Sequence, residues 1–277
     1  MRNRLYPFFV TASILAASVL SIYGMIGLHS VYRMVLPDVS VLRTKYPVPV
    51  KKVDSKIIYA FQTRKPVNWV SLKEIPRSVV AAIILSEDGT FFQHHGYSAE
   101  AINAALEYNA KAGTKIKRGG STITQQVVKN LFLTPEKTIS RKIRELLLSV
   151  EMERKFPKAR ILETYINIAE WGPGVYGIEQ ASERYFHKPA ANLTPKDAAV
   201  LAFMLPNPGK YQYSIQKGDS PRGDGLSEFA AKRVELILER MWKTGYISAE
   251  EYSSSTTPTI VPSTLYSLPQ DELPSSL

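Results

Sequence analysis

From Pro76 onward the chain is a succession of helix start and stop signals, and this pattern limits its fold more than any other feature. Pro76 stands where a first helical turn tolerates proline, the Thr194–Pro195 pair opens a later helix, and Gly245 follows the last long periodic run. Only residues 57–61, rich in β-branched and aromatic side chains, favour a strand. The folded part of the chain is therefore predicted to be all-α.

The helix expected to open at Thr134 and Pro135 has the clearest apolar stripe. Its members recur at helical spacing and are predicted to face the core; they are Ile139, Ile143, Leu146, Leu147 and Val150. The preceding helix is expected to be capped by Ser121. Further helices are expected at residues 76–86, 99–111, 121–132, 158–167, 177–186, 194–205 and 226–243, with a short one capped by Ser248.

The amino terminus has the composition of a membrane anchor. Residues 5–32 contain no Asp, Glu, Lys or Arg, and an apolar helix of about 20 residues crosses a membrane. Arg2 and Arg4 would keep the first residues cytoplasmic by the positive-inside rule. A cleaved signal peptide is the alternative, but its apolar region usually has about 7–15 residues. We expect a single transmembrane helix in residues 1–32 and the rest of the chain outside the cytoplasm.

The remaining chain divides by composition. Residues 33–69 contain several prolines and are interpreted as a connector, residues 70–247 as the folded domain, and residues 248–277 as a short helix followed by a tail rich in Ser, Thr and Pro. Such a tail is expected to be disordered, because it has too little apolar surface to bury.

Charge and cysteine content narrow the chemistry. The net charge of +10 indicates an anionic partner, and the absence of cysteine excludes a thiol nucleophile, a thiolate metal site and a disulfide. Between residues 115 and 145 there are eight basic residues but only two acidic ones. Such a cluster suits a pyrophosphate or anionic lipid heads. Nucleic acid fits poorly, because the anchor would place this surface outside the cytoplasm.

Two adjacent carboxylates, Glu87 and Asp88, end an apolar helix. A carboxylate at the edge of a core has a raised proton affinity and can act as a general acid or base. Phe91, His94 and Gly96 follow, and we interpret His94 as a hydrogen-bonded structural residue. Glu87–Asp88 is the first candidate for catalysis.

A glycine pair, Gly119 and Gly120, precedes a polar helix start. Glycine lets a backbone approach a ligand closely, and free amides at a helix start attract anions. Gln125 and Lys129 share a face of this helix, which suits a phosphate. The alternative interpretation is an ordinary capped surface helix.

Two further helices carry charged pairs. Arg141 and Glu145 have i,i+4 spacing, which a surface salt bridge explains without any function; the surrounding basic residues favour pyrophosphate binding instead. Glu163 and Asn167 share a face of the next helix and are predicted to tie down a loop. We favour a structural role for Glu163 and Asn167.

Five ordered motifs give the chain a family resemblance. The segments are Glu87–Asp88 with Phe91, His94 and Gly96; Gly119 to Gln126 with Lys129; Arg141 to Glu145; Lys158 to Asn167; and Leu193 to Pro206. Together they resemble the monofunctional peptidoglycan glycosyltransferases, a family shared with the transglycosylase domain of bifunctional penicillin-binding proteins. Since only some thirty residues follow Gly245, the chain resembles the stand-alone enzyme, without transpeptidase activity.

The resemblance implies a fold, a substrate and a mechanism. It implies a lysozyme-like, two-lobed glycosyltransferase domain at residues 70–247, behind the anchor and on the periplasmic side of the inner membrane, with residues 97–117 touching the membrane. Its substrate would be lipid II, transferred with inversion. Glu87 would be the general base and Glu145 would orient or assist the leaving pyrophosphate. Substrate-binding roles would fall to Ser121, Thr122, Gln125, Gln126, Lys129, Lys137, Arg141, Lys142 and Arg144, and supporting roles to Asp88, Phe91, His94, Gly96, Gly119, Gly120, Glu163 and Asn167.

The same resemblance sets expectations for cofactors and partners. No cofactor is expected to be required; Mg²⁺ or Mn²⁺ is compatible with a pyrophosphate, but no ligand cluster demands it. Partners would be lipid II, the growing glycan strand, membrane lipid and other cell-wall synthesis proteins, with no nucleic acid. Two alternatives stay open: a glycan-cleaving lytic transglycosylase, and a non-catalytic scaffold.

Overall fold

The computed structural model describes residues 14–15, 17–25, 27, 36–53, 56–111, 119–136, 138–214 and 225–256. Most of the predicted anchor, the tail from residue 257 and Lys137 lie outside these residues. Within them, no helix has the length and apolar character needed to cross a membrane.

The described residues are mostly helical. Strands β1 (Tyr46–Val53) and β2 (Lys56–Gln62) precede helices α1 (Arg77–Glu87), α2 (Ala99–Lys111), α3 (Ile123–Phe132), α4 (Ile139–Lys155) and α5 (Lys158–Ile168). Strands β3 (Glu170–Gly172) and β4 (Val175–Tyr176) follow, and then helices α6 (Ile178–Phe186), α7 (Pro195–Met204), α8 (Pro208–Tyr211), α9 (Glu228–Lys243) and α10 (Ala249–Thr256). Most predicted helices are confirmed within two residues, and short 3₁₀ turns connect several of them.

The chain divides into two compact units, and the division falls inside α5. The first unit comprises residues 1–66 and 94–161, and the second comprises residues 67–93 and 162–277.

The first unit contains a strand pair that the sequence only half predicted. The strand expected at 57–61 is confirmed, and it pairs antiparallel with β1, which was interpreted as connector because of Pro47 and Pro49. Proline is tolerated where a strand has a free edge, and β1 has no other strand partner among the described residues. The prediction of an all-α fold is therefore corrected to a mostly helical one. Phe61 of β2 stacks on Phe132 of α3, with ring centroids 5.8 Å apart.

Helix α4 differs from its prediction in start and in orientation. Its N-cap is Thr138, whose hydroxyl accepts from the Arg141 amide, so the predicted start at Thr134 was wrong. The expected core stripe was also wrong, because Ile139, Ile143 and Leu147 are 82%, 53% and 46% exposed. The face that packs against the rest of the unit carries Glu145, Leu148, Ser149 and Met152. Apolar spacing identifies a face of a helix but not what covers it.

Helix α3 begins one residue later than predicted. Thr122, not Ser121, is its N-cap: the Thr122 hydroxyl accepts from the Gln125 amide, and the Gln125 side chain accepts from the Thr122 amide. This reciprocal capping box satisfies two backbone donors of the first turn. Ile123 and Val127 are fully buried.

The core of the second unit surrounds α7. Every residue of α7 from Ala198 to Met204 is buried, and α1 and α9 both pack against it. Its predicted cap is confirmed, because Thr194 forms a capping box with Asp197. Gly245 ends α9 with a φ of +74°, a left-handed conformation that favours glycine.

Candidate functional site

The first unit contains a buried carboxylate that holds two cations. Glu145 of α4 is only 2% exposed. Its Oε2 accepts from Arg141 Nη1 at 2.9 Å, and its Oε1 accepts from the Lys142 ammonium. The side chain of Lys142 stays 42% exposed. The predicted Arg141–Glu145 pair is confirmed, but its carboxylate is buried rather than on the surface.

The start of α3 meets this cluster through one contact. The Lys142 ammonium donates to Ser121 Oγ at 3.2 Å, so this cation lies between a hydroxyl and a carboxylate. Thr122 and Gln125, expected to line a substrate site, are each 1% exposed and are engaged in the capping box. Among the described residues, the Gln125 Nε2 and Arg141 Nε atoms are buried without a hydrogen-bond partner.

The remaining candidates of this unit vary in exposure. Lys129 and Arg144 are exposed, and Gln126 is half-buried. Gly119 has open space where a side chain would lie, whereas a Cβ at Gly120 would come within 2.9 Å of the Ala101 carbonyl. Glycine at 120 therefore has a packing reason, the close approach of α2. Residues 112–118 and Lys137 lie outside the described part of the chain.

His94 and Gly96 take part in hydrogen bonds that fix the local backbone. His94 Nδ1 accepts from the Gly96 amide at 3.2 Å, and the Thr122 hydroxyl donates to the Gly96 carbonyl at 2.8 Å. Gly96 has a φ of +101°, and a Cβ there would lie 2.8 Å from the Ser149 backbone. The hydrogen bond expected of His94 is present, and its structural role stays a prediction.

Glu87 and Asp88 belong to the second unit. Glu87 is the last residue of α1 and is half-buried, while Asp88 is 6% exposed. The Asp88 amide donates to the Ile84 carbonyl, and the Asp88 carbonyl accepts from the amide of the fully buried Phe91. This turn fixes the backbone around both carboxylates.

The charges of both carboxylates affect the pKa of a buried tyrosine of α5. Tyr165 is 2% exposed. Burial, and after it the charges of Glu87 and Asp88, raise the pKa of Tyr165 well above its ordinary value. The hydroxyl therefore stays protonated in the presence of two negative groups. The sequence pattern does not single out Tyr165, because its spacing matches the apolar stripe of the helix.

Glu163 and Asn167 hold the segment that leads into α1. Glu163 accepts from Trp69 Nε1 at 3.0 Å. The Asn167 amide group pairs with both backbone groups of Val70, accepting from its N–H and donating to its C=O, each at 2.8 Å. The predicted loop-tying role of both residues is confirmed.

Neither unit offers a metal-binding cluster in its described residues. No group of three or more His, Asp or Glu side chains lies close enough there to hold an ion. The candidate site residues divide between the two units. Ser121, Arg141, Lys142 and Glu145 lie in the first unit, and Glu87, Asp88 and Tyr165 lie in the second.

Comparisons with known proteins agree on one family. The family model described as "Transglycosylase" matches residues 54–242. "Biosynthetic peptidoglycan transglycosylase" of Bdellovibrio bacteriovorus is 46% identical over 174 residues, which cover 63% of this chain and 65% of that protein. The protein of the same name from Acinetobacter baylyi is 44% identical over 179 residues, 64% of this chain and 78% of its own length. "Penicillin-binding protein 1A" of Aquifex aeolicus is 39% identical over 222 residues, which are 79% of this chain but 29% of that protein.

Proposed function

Because the chain belongs to the transglycosylase family, we propose that it is a peptidoglycan glycosyltransferase that polymerises lipid II into glycan strands. The observation that carries this proposal is the pair of cations, Arg141 and Lys142, held by the buried Glu145 beside the start of α3. Fixed cations beside a hydroxyl suit the pyrophosphate of a lipid-linked sugar donor.

The proposed reaction is an inverting transfer. The acceptor sugar hydroxyl attacks the anomeric carbon of the donor, its proton passes to Glu87, and the bond from that carbon to the pyrophosphate oxygen breaks. Undecaprenyl pyrophosphate leaves with the bonding electron pair. Proton removal thus belongs to the second unit and charge neutralisation to the first.

The cations of the first unit would act on the leaving group. Arg141 and Lys142 would neutralise the charge that develops on the pyrophosphate, with Lys129, Arg144 and Lys137 adding to the local potential. Because Glu145 engages both cations, its proposed role is to orient them. Ser121 and Gln126 would contact the donor, with the capping box of Thr122 and Gln125 fixing the helix start behind them.

Membrane lipid is part of the same proposal. Ile139, Ile143 and Leu147 project from α4, and Leu106 and Tyr108 are 63% and 44% exposed on α2. An apolar surface beside basic side chains suits a membrane surface, where the lipid tail of the substrate would lie. We propose that residues 1–32 anchor the chain in the inner membrane with the domain at 70–247 in the periplasm.

Glu87→Gln tests the proposed general base. The variant should retain its fold and lose roughly 10²–10⁴-fold in lipid II polymerisation, the usual contribution of a general acid or base. Glu183→Gln, on the exposed side of α6, is the matched control and should keep its rate. A Glu87→Gln variant that polymerises at the normal rate removes the base assignment.

Charge reversal tests the donor site. Lys129→Glu should weaken donor use, whereas Lys51→Glu on β1, also exposed in the first unit, should not. Incubation with finished glycan separates synthesis from cleavage: unchanged strands agree with the proposal, and shortened strands indicate a lytic enzyme.

A further inference from the structure

A second buried carboxylate of α4 has no part in the proposed chemistry. The side chain of Glu153 is 4% exposed. Its Oε1 accepts from the Thr124 hydroxyl at 2.6 Å and from the Lys158 ammonium at 2.8 Å, and it lies 3.9 Å from His94 Nδ1. One oxygen therefore accepts hydrogen bonds from the first turn of α3 and from the start of α5, and the imidazole of His94 lies close to it.

Each partner fixes a different piece of backbone. Thr124 lies in the first turn of α3, Lys158 is the first residue of α5, and His94 orients the Gly96 amide. Gly96 is in turn packed on the Ser149 backbone and accepts from Thr122. The carboxylate thus accepts directly from the start of α3 through Thr124, and it lies close to the His94–Gly96–Thr122 hydrogen bonds that meet the same helix start.

The two buried carboxylates lie on the same side of α4. Glu145 and Glu153 are eight residues apart, a rise of about 12 Å along the helix, and the buried Ser149 and Met152 lie between them. The start of α3 meets this side twice: Ser121 contacts Lys142, which Glu145 holds, and Thr124 contacts Glu153. These two contacts set the position and rotation of the first turn of α3 relative to α4.

An apolar side chain could fill the same volume. A buried ion pair seldom stabilises a protein more than well-packed apolar residues would, because both charges lose their hydration. What a carboxylate adds is direction, since it accepts only along defined hydrogen-bond axes.

We propose that Glu153 is a positioning residue for glycosyl transfer: it fixes the start of α3 on α4 so that Ser121 meets Lys142 and the cation pair is presented to the donor. In this proposal Glu153 acts through its hydrogen bonds with Thr124 and Lys158. This inference rests on the proposed function.

Glu153→Gln is the test, and Glu151→Gln is its matched control. Both replacements remove a carboxylate of α4 that pairs with a lysine, but Glu151 pairs with Lys155. Hydrogen exchange of the full-length protein should show amides 122–126 exchanging about tenfold faster in Glu153→Gln, because the local opening becomes easier. Amides 148–152 of α4 should keep their rates, and the control should change neither set.

Steady-state kinetics give the second measurement. A mispositioned cation pair weakens donor binding, so the KM for lipid II should rise about tenfold in Glu153→Gln. A purely structural defect would reduce the active fraction, and hence kcat, without changing KM. Thr124→Val removes the hydroxyl from the other side of the same contact at nearly equal volume and should reproduce both results, which covers the case in which Glu153→Gln fails to fold.

The outcomes separate the two proposals. Unchanged exchange at residues 122–126 in Glu153→Gln and Thr124→Val, or an unchanged KM, overturns the positioning role. If the wild-type protein does not turn over lipid II, the proposed function fails, and the exchange measurement still decides whether Glu153 fixes the start of α3.

Discussion

Two glutamates, one in each unit, use their carboxylates in opposite ways. Glu145 is buried, and each of its oxygens accepts from a cation. Glu87 is half-buried at the last residue of an apolar helix, beside the buried Asp88 and within electrostatic range of Tyr165. The first carboxylate holds two cations in place, whereas the second is only half-buried.

The contrast extends to how each unit is held together around its glutamate. The first unit uses ion pairs and charged hydrogen bonds on α4, including Glu145 and Glu153. In the second unit, neutral hydrogen bonds join the Asn167 amide to the Val70 backbone, the Glu163 carboxylate accepts from Trp69, and a protonated tyrosine, Tyr165, lies within electrostatic range of Glu87.

The largest expected effect on stability comes from Glu145→Gln. The substitution leaves Arg141 and Lys142 without their counter-charge and should lower the unfolding free energy by about 3 kcal/mol. This value is at the low end of the usual cost of breaking a buried ion pair, because the Lys142 side chain is partly exposed to water. Glu87→Gln should change the unfolding free energy by less than about 0.5 kcal/mol. Urea unfolding of both variants measures the difference, and equal losses would mean that the two glutamates do not differ in the way described.

Asn167→Ala should have the next largest effect. It removes both hydrogen bonds to Val70 and a third to the Glu163 carbonyl, and it leaves the partly buried backbone groups of Val70 unpaired, a loss of about 2 kcal/mol. Because no charge is involved, the loss should be the same at low and high salt, whereas the loss in Glu145→Gln should shrink slightly as salt rises, since only the partly exposed Lys142 is screened. Urea unfolding at two salt concentrations gives both values. A salt-dependent loss in Asn167→Ala would contradict the neutral character of the Asn167–Val70 contact.

Tyr165→Phe tests the tyrosine at alkaline pH. At neutral pH the variant should lose about 1 kcal/mol, the usual value of a buried hydroxyl. Since the pKa of Tyr165 is raised in the folded state, the unfolded chain releases this proton first, and the wild-type protein loses stability as pH rises above about 10. The variant lacks this loss, so the two curves should converge there. Parallel curves between pH 9 and 11 would contradict the raised pKa.

Asp38→Ala should have the smallest effect and tests the ion pairs at the far end of α4. Asp38 caps a 3₁₀ turn by accepting from the Ser40 amide at 2.9 Å and contacts Lys155 at 3.2 Å. Its loss should cost about 0.5–1 kcal/mol at neutral pH. The Ser40 hydrogen bonds lower the pKa of Asp38 from 3.8 to about 2, so this stability is present above pH 4 and is lost as pH falls toward 2. Thermal unfolding of both proteins across this range should show the difference vanishing.

Much of the fold could be predicted because its helices carry their own boundary signals. The capping box at Thr194 and the glycine at 245 depend only on neighbouring residues, and both were confirmed. The strand β1 was missed because Pro47 and Pro49 indicate a break unless the strand is known to have a free edge. The exposed face of α4 was assigned to the core because periodicity contains no information about which partner covers an apolar face.

The sequence predicts which residues belong to the candidate site better than it predicts how they are arranged. Charge clustering and glycine spacing drew attention to Arg141, Lys142 and Glu145, but nothing in the spacing showed that Glu145 would be buried. Glu153 and Thr124 were not singled out, since a glutamate and a threonine in helices resemble ordinary surface residues. Their contact joins residues 29 positions apart, which only tertiary packing can bring together.

The outward face of α4 also has a practical consequence for work with the purified protein. Ile139, Ile143 and Leu147 form one exposed apolar strip on the opposite side of the helix from Glu145. Copies of the protein in detergent-free buffer should therefore self-associate through this strip as the protein concentration rises. Replacing all three by lysine would leave the buried face untouched and should give a sample that stays monodisperse in light scattering.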